Sequence, residues 1–179
     1  MSKIIILCGK KRVGKDTVGN YLNKNYNYRR VAFAEPIKNI TEKLIKLFIP
    51  KEDMSKYKSK KSKRHFYQQI GDILREEDED IFVKLAVAKR VNNISIFNIF
   101  DNIVITDSRY QNEQDTIKMM FPRAKIFIIK IIRNAVEDDD ETHKSEKIDM
   151  NCDLIVYNNS TLSKLYLTVD KIIDRHKLK

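Results

Sequence analysis

With 179 residues the chain is long enough to bury a core without disulfide or metal staples, and its two cysteines, Cys8 and Cys152, lie far apart in apolar runs rather than in a paired-ligand spacing. The net charge of +10 is unevenly distributed: KEDMSKYKSKKSKR (51–64) is basic, whereas EEDED (76–80) and EDDDE (137–141) are acidic, which argues against a continuous nucleic-acid track. The longest apolar run, IFIIKII, is broken by Lys130 and is too short to span a bilayer, and the N-terminal residues lack a cleavage-site region, so a soluble protein of the reducing cytoplasm is expected.

KIIILC predicts a first strand, followed by a glycine-bearing turn and a helix over GKDTVGNYLNKNY. RRVAF reads as a second strand and EPIKNITEKLIKLF as a helix with Pro36 in its first turn. Residues 49–64 are poor in large apolar side chains and read either as a mobile segment or as a solvated loop. HFYQQIGDILREEDEDIFVKLAVAKRVNN predicts two helices, or one broken near the acidic cluster. NIVITD, AKIFIIKII and DLIVYN predict three more strands. QNEQDTIKMMF predicts the helix between the first two of these, and STLSKLYLTVDKIIDRHK a last helix capped by Ser160 or Thr161. This alternation predicts a single α/β domain over 1–179, with a parallel sheet of about five strands covered on both faces.

The stretch CGKKRVGKDT (8–17) matches GxxxxGK between a predicted strand and a predicted helix, the context of a phosphate-binding loop. Gly9 allows a sharp exit from the strand, and Gly14 lets backbone N–H groups approach phosphate oxygens. Lys15 would reach the β- and γ-phosphates, aided by the positive end of the helix dipole. The bland alternative is an ordinary strand–helix turn with surface lysines. Asp16 stands where Ser or Thr is usual. A carboxylate is a hard oxygen ligand suited to Mg²⁺, but it needs a compensating cation beside phosphates, and Thr17 points elsewhere on the helix.

Asp107 falls at the end of a strand, where open parallel sheets bind ligands, and is a second candidate metal ligand; Arg109 is placed to clamp a phosphate. Their structural alternatives are a helix cap for Asp107 and pairing with Glu113 for Arg109. Arg30, Arg64, Arg75 and Arg133 are each ordinary surface arginines when taken singly, although Arg133 follows a strand. Arg64 and Arg75 flank Phe66, Gln68 and Gln69, a mixture able to stack on a base and bond its edge. The histidines show no ligand spacing, and no metalloprotease or serine-hydrolase motif is present.

GKKRVGKDT, FAEPIK (33–38), RHFYQQIGDILR (64–75), TDSRYQNE (106–113) and HKSEKIDMNCDLIVYNN (143–159), in this order, resemble the deoxynucleoside monophosphate kinases of bacteriophages and large viruses. The resemblance implies a P-loop NTPase-type, three-layer α/β/α fold like that of nucleoside monophosphate kinases, with ATP and Mg²⁺ as cofactors and a deoxynucleoside monophosphate as acceptor. It implies that Gly9, Lys10, Arg12, Gly14, Lys15, Asp16 and Thr17 bind ATP and its metal. Phe33, Lys38, Arg64, Gln69, Arg75, Asp107 and Arg109 would shape the acceptor site, with Asp16 and Asp107 at the metal and Lys15, Arg109 and Arg133 as catalytic cations. Residues 49–80 would form an acceptor-side insertion and 134–146 a lid-like loop. Asp72 stands where the family usually has Thr, which favours a hydrogen-bonding role there over phosphate binding. Two other readings stay open: a small-molecule kinase resembling phosphomevalonate kinases, which share the GKD loop, and a nucleotide-dependent nucleic-acid-binding protein. The accepted base and the choice between monomer and homodimer are also open at this stage.

Overall fold

The computed structural model describes residues 1–50, 53, 60–92, 102–134 and 150–179. Its strands are β1 (Lys3–Cys8), β2 (Arg29–Val31), β3 (Ile103–Ser108), β4 (Lys125–Ile132) and β5 (Leu154–Tyr157). The helices are α1 (Lys15–Tyr26), α2 (Ala34–Phe48), α3 (Lys60–Glu77), α4 (Ile81–Asn92), α5 (Gln111–Met120) and α6 (Leu162–Arg175). The alternation expected from sequence is therefore present, and the acidic cluster does split its helical stretch in two, between α3 and α4. Among the described residues the strands form one five-stranded sheet in the order β2-β3-β1-β4-β5, with every neighbouring pair parallel.

The sheet order follows from apolar content. β1 is the central strand, and Ile4 to Cys8 are all at most 1% exposed, as a strand covered on both faces requires. Ile5 and Leu7 point to one face, where Val104, Phe127, Ile129 and Ile131 meet Val18 and Leu22 of α1 and Leu165, Val169, Ile172 and Ile173 of α6. Ile4 and Ile6 point the other way, register with Ile103 and Ile105, and are equally buried. Two covered faces give the three-layer α/β/α arrangement.

The chain divides into two units, Met1–Ala32 with Ile96–Lys179, and Phe33–Ser95. In the second unit α2 packs on α3 and α4. In that unit Glu42 accepts from the Tyr67 hydroxyl at 3.3 Å and from Lys63 Nζ at 3.4 Å, so α2 and α3 are pinned by polar as well as apolar contacts. Arg75 lies over the Phe82 ring at 4.7 Å, linking α3 to α4. No helix among the described residues is long and apolar enough to cross a membrane.

In the first unit a tyrosine group fastens α6. Tyr21 and Tyr26, on α1, both donate to the Asp170 carboxylate, at 2.9 and 2.7 Å, and Tyr21 stacks on Tyr166 at 4.0 Å. Tyr28 is fully buried and donates to the Leu178 carbonyl at 2.6 Å. Thr161 caps α6 by accepting from the Lys164 N–H at 3.3 Å, as one of the two proposed caps. Pro36 does lie in the first turn of α2.

Tyr28→Phe is expected to cost about 1–2 kcal/mol in urea unfolding, because it strands a buried carbonyl. Burial raises the Tyr28 hydroxyl above its ordinary value; burial, then the bond to Asp170, raises that of Tyr26. Both groups are held neutral in the folded protein. Their stabilisation is therefore intact below about pH 10, the unfolded tyrosine value, and is lost as pH rises through the higher folded values. Urea midpoints measured at pH 8 and pH 11 should fall less in Tyr28→Phe than in the parent chain.

Candidate functional site

The carboxyl edge of the sheet collects the candidate residues of the first unit. β1 ends at Cys8, which registers with Ser108 of β3 and Lys130 of β4, so Gly9 and Arg109 each stand one residue beyond a paired position. Arg133 follows β4 directly and is exposed. Asn158 and Asn159 follow β5. Asp107 lies within β3, one residue from its end.

Backbone geometry makes the glycine loop. Gly9 has φ +135°, and a Cβ there would meet the Ile131 carbonyl oxygen at 2.3 Å. Gly14 has φ +109°, and its Cβ would lie 2.6 Å from Asn158 Nδ2. Both positions combine a left-handed conformation with a close approach, so only glycine fits. Arg12 also turns left-handed, at φ 63°. Gly14 is the N-cap of α1 and makes no side-chain cap bond, so the first amides of α1 are left to the loop and to whatever anion sits there.

Lys15 is buried, and its ammonium donates to the Gly9 and Lys10 carbonyls, both at 2.6 Å. An ammonium taken out of water in this way must be bonded, and the loop's own carbonyls meet that need. They also hold the charge inside the turn. Asn158 Nδ2 donates to the Val13 carbonyl at 2.8 Å, while the Asn158 backbone N–H bonds Ile132 at 2.7 Å; the end of β5 thereby braces the loop. Asn158 was not singled out from sequence, where it is one Asn of a pair after a strand.

Asp16 is exposed, and Arg30 of β2 lies against it, Nη2 to Oδ1 at 2.5 Å. The compensating cation that the carboxylate needs is thus present, on an element about a dozen residues away in sequence. A lone arginine in a three-residue strand carries no sequence signal for this role.

The segment after β3 is shaped by Glu113. Buried in α5, its carboxylate accepts from the backbone N–H groups of Arg109, at 2.7 Å, and Tyr110, at 3.2 Å. Tyr110, rather than Asp107, is the N-cap of α5, because Glu113 closes the turn three residues later in a capping box. This corrects the structural alternative for Asp107, which stays in the strand. It also fixes the backbone from which the Arg109 side chain leaves.

Phe33, Lys38, Arg64, Gln69 and Arg75 belong to the second unit. Phe33 is buried, Lys38 and Gln69 are exposed, and Arg64 and Arg75 are half-buried. Arg75 has a packing role over Phe82 and also bonds the Gly71 carbonyl at 3.4 Å. Asp72 is exposed on α3. The expected lid at 134–146 lies outside the described residues except for Asn134, as does most of the 51–59 stretch.

The donor set at the sheet edge suits a magnesium ion carried by a nucleotide. Asp16 and Asp107 carry hard oxygens, and among the described residues no group of three or more His, Cys, Asp and Glu forms a metal cage. Magnesium is commonly bound through one or two carboxylates plus phosphate oxygens and water, which is what so sparse a set can offer. Burial pushes the Cys8 thiol up to about 11, so this cysteine beside the loop is neutral and inert.

Comparisons with known proteins agree with this geometry. Residues 3–61, which include the glycine loop, match the model of the family described as deoxynucleotide monophosphate kinase. A protein of Acanthamoeba polyphaga mimivirus, provisionally named a deoxynucleotide monophosphate kinase, is 27% identical over 194 residues, spanning 96% of each chain. Among solved structures, the APS kinase of Mycobacterium tuberculosis in complex with AMPPNP and APS superposes with a TM-score of 0.50 at 8% identity, covering 97% of this chain and 98% of that one. A provisionally assigned kinase from Chloroflexus aurantiacus gives the same TM-score and identity, with 97% of each chain covered. At such identity these two establish likeness of fold alone. By its family match over the glycine loop and by its viral relative, the chain is similar to deoxynucleotide monophosphate kinases.

Proposed function

We propose that the protein transfers the terminal phosphoryl group of ATP to the phosphate of a deoxynucleoside monophosphate, yielding ADP and the deoxynucleoside diphosphate. The observation that carries this reading is the buried Lys15 ammonium, held 2.6 Å from two carbonyls of a glycine loop that opens a helix at the carboxyl edge of a parallel sheet. The loop amides and the amino end of α1 bind the phosphate tail, and Lys15 follows charge as it moves onto the β–γ bridging oxygen.

Little covalent work falls to the chain, since phosphoryl transfer is chiefly alignment and charge neutralisation. Magnesium, when bound, would neutralise phosphate oxygens; Asp16 and Asp107 are the residues that would hold it. Gly9, Lys10, Arg12, Gly14 and Thr17 complete the nucleotide site. Arg109 and Arg133 leave two neighbouring regions of the same sheet edge and present guanidinium groups to the transferring phosphoryl, where a planar fork suits its equatorial oxygens. Phe33, Lys38, Arg64, Gln69 and Arg75 are assigned to the acceptor, a mixture of aromatic, amide and cationic groups suited to a base and its 5′-phosphate. An acceptor bearing phosphate and carboxylate but no base would have no use for the amide and aromatic groups.

Release of ADP measured across the common deoxy- and ribonucleoside monophosphates, with mevalonate phosphate as control, should show turnover with at least one deoxynucleotide and none with the control. Turnover of mevalonate phosphate alone would overturn the reading. Lys15→Met is expected to lower kcat by about 100-fold or more, with circular dichroism unchanged. Gly9→Ala should weaken ATP binding and lower stability by about 1–3 kcal/mol, the cost of a strained left-handed residue, read by thermal melting.

A further inference from the structure

Asp16 puts a carboxylate at the start of α1, beside the place where a phosphate tail would sit. Two like charges a few ångströms apart repel even in bulk water, and more strongly at a protein surface. The first unit supplies an answer in Arg30. Its guanidinium reaches from β2 to Asp16, with Nη2 at 2.5 Å from Oδ1, while Oδ2 has no hydrogen bond among the described residues. Two further contacts hold it. Nη1 donates to the Asn20 side-chain carbonyl, one turn along α1, and Nη2 lies 3.4 Å from the Thr106 hydroxyl of β3. Gly19 makes room for the arrangement: a Cβ there would meet the Thr106 methyl at 2.4 Å and Arg30 Nε at 3.3 Å.

Two elements, α1 and β3, thus grip one guanidinium. Stability is a weak reason for it, because the Asp16 side chain is 82% exposed and an exposed pair contributes little. A forked donor held on two other sides does have a directional effect: it fixes where the carboxylate points and occupies one of its two oxygens.

We propose that Arg30 is a positioning residue that sets the magnesium requirement of the loop, by orienting Asp16 and competing with the metal for its carboxylate. The proposal rests on the kinase reading above. With Arg30 in place the Asp16–Arg30 pair is neutral, so Lys15 and the loop amides attract the phosphate tail unopposed, and the carboxylate binds metal only weakly. Without Arg30 the bare carboxylate repels metal-free nucleotide and binds the cation more strongly. The two effects have opposite signs, which a general loosening of the fold would not produce.

Calorimetric titration with ATP, in EDTA and across a magnesium series without acceptor, separates them. Arg30→Met should weaken metal-free ATP binding by about two- to fivefold and move the half-saturating magnesium concentration down by a similar factor. Arg30→Gln should do the same and serves as the second variant should the first fail to fold. In an Asp16→Asn background the magnesium shift should vanish. An unmoved magnesium midpoint, a shift upward, or an equal shift in the Asp16→Asn background would overturn the role of Arg30 while leaving the kinase reading standing. A parent chain that binds no ATP under any magnesium concentration overturns both.

Discussion

The bonds from the Lys15 ammonium to the Gly9 and Lys10 carbonyls are the contact on which the site depends. A cation buried at that point needs a backbone that bends back on itself, and only left-handed residues at Gly9 and Gly14 allow the bend. The bend in turn needs a rigid strand before it. β1 supplies this because it lies at the centre of the sheet and is covered on both faces, so that the loop leaves a platform with little freedom to move. Core packing and the shape of the glycine loop are linked here through a single turn.

Around that turn the other elements act as braces. β5 reaches it through Asn158, and β4 approaches so closely at Ile131 that no side chain fits at Gly9. After β3, Glu113 of α5 ties down the backbone of Arg109 and Tyr110 with its buried carboxylate. β2, short and at the edge, contributes Arg30. Polar groups from β2, β5 and α5 thus surround the ends of the central strands, the place where open parallel sheets bind ligands. The GKD variant fits within this frame: the Asp16 carboxylate is met by the guanidinium of Arg30 from β2.

Much of this was legible in the residues. The alternation of apolar runs with helical patterns gave the five strands and the break between α3 and α4, because burial on both faces demands unbroken apolar strands while helices need only a stripe. The glycine loop was readable because its spacing, its glycines and its lysine all answer one geometric need. The cap at Thr161 and the place of Pro36 were readable too, since both are local effects of backbone hydrogen bonding. Which helices cover α2 was not readable, because its helical stripe says that it has a buried face and not what lies against it.

The sequence by itself determined the class of fold and the glycine loop, since these rest on periodicities and spacings within short stretches of chain. Only the tertiary structure decided which cation meets Asp16, what braces the loop, and that Tyr110 rather than Asp107 caps α5. Arg30 and Asn158 lie 14 and 142 residues from Asp16 along the chain, and no local pattern carries their pairing with the loop. Such contacts exist because parallel strand order brings distant strand ends to one edge, and that order is set by how the whole sheet is buried.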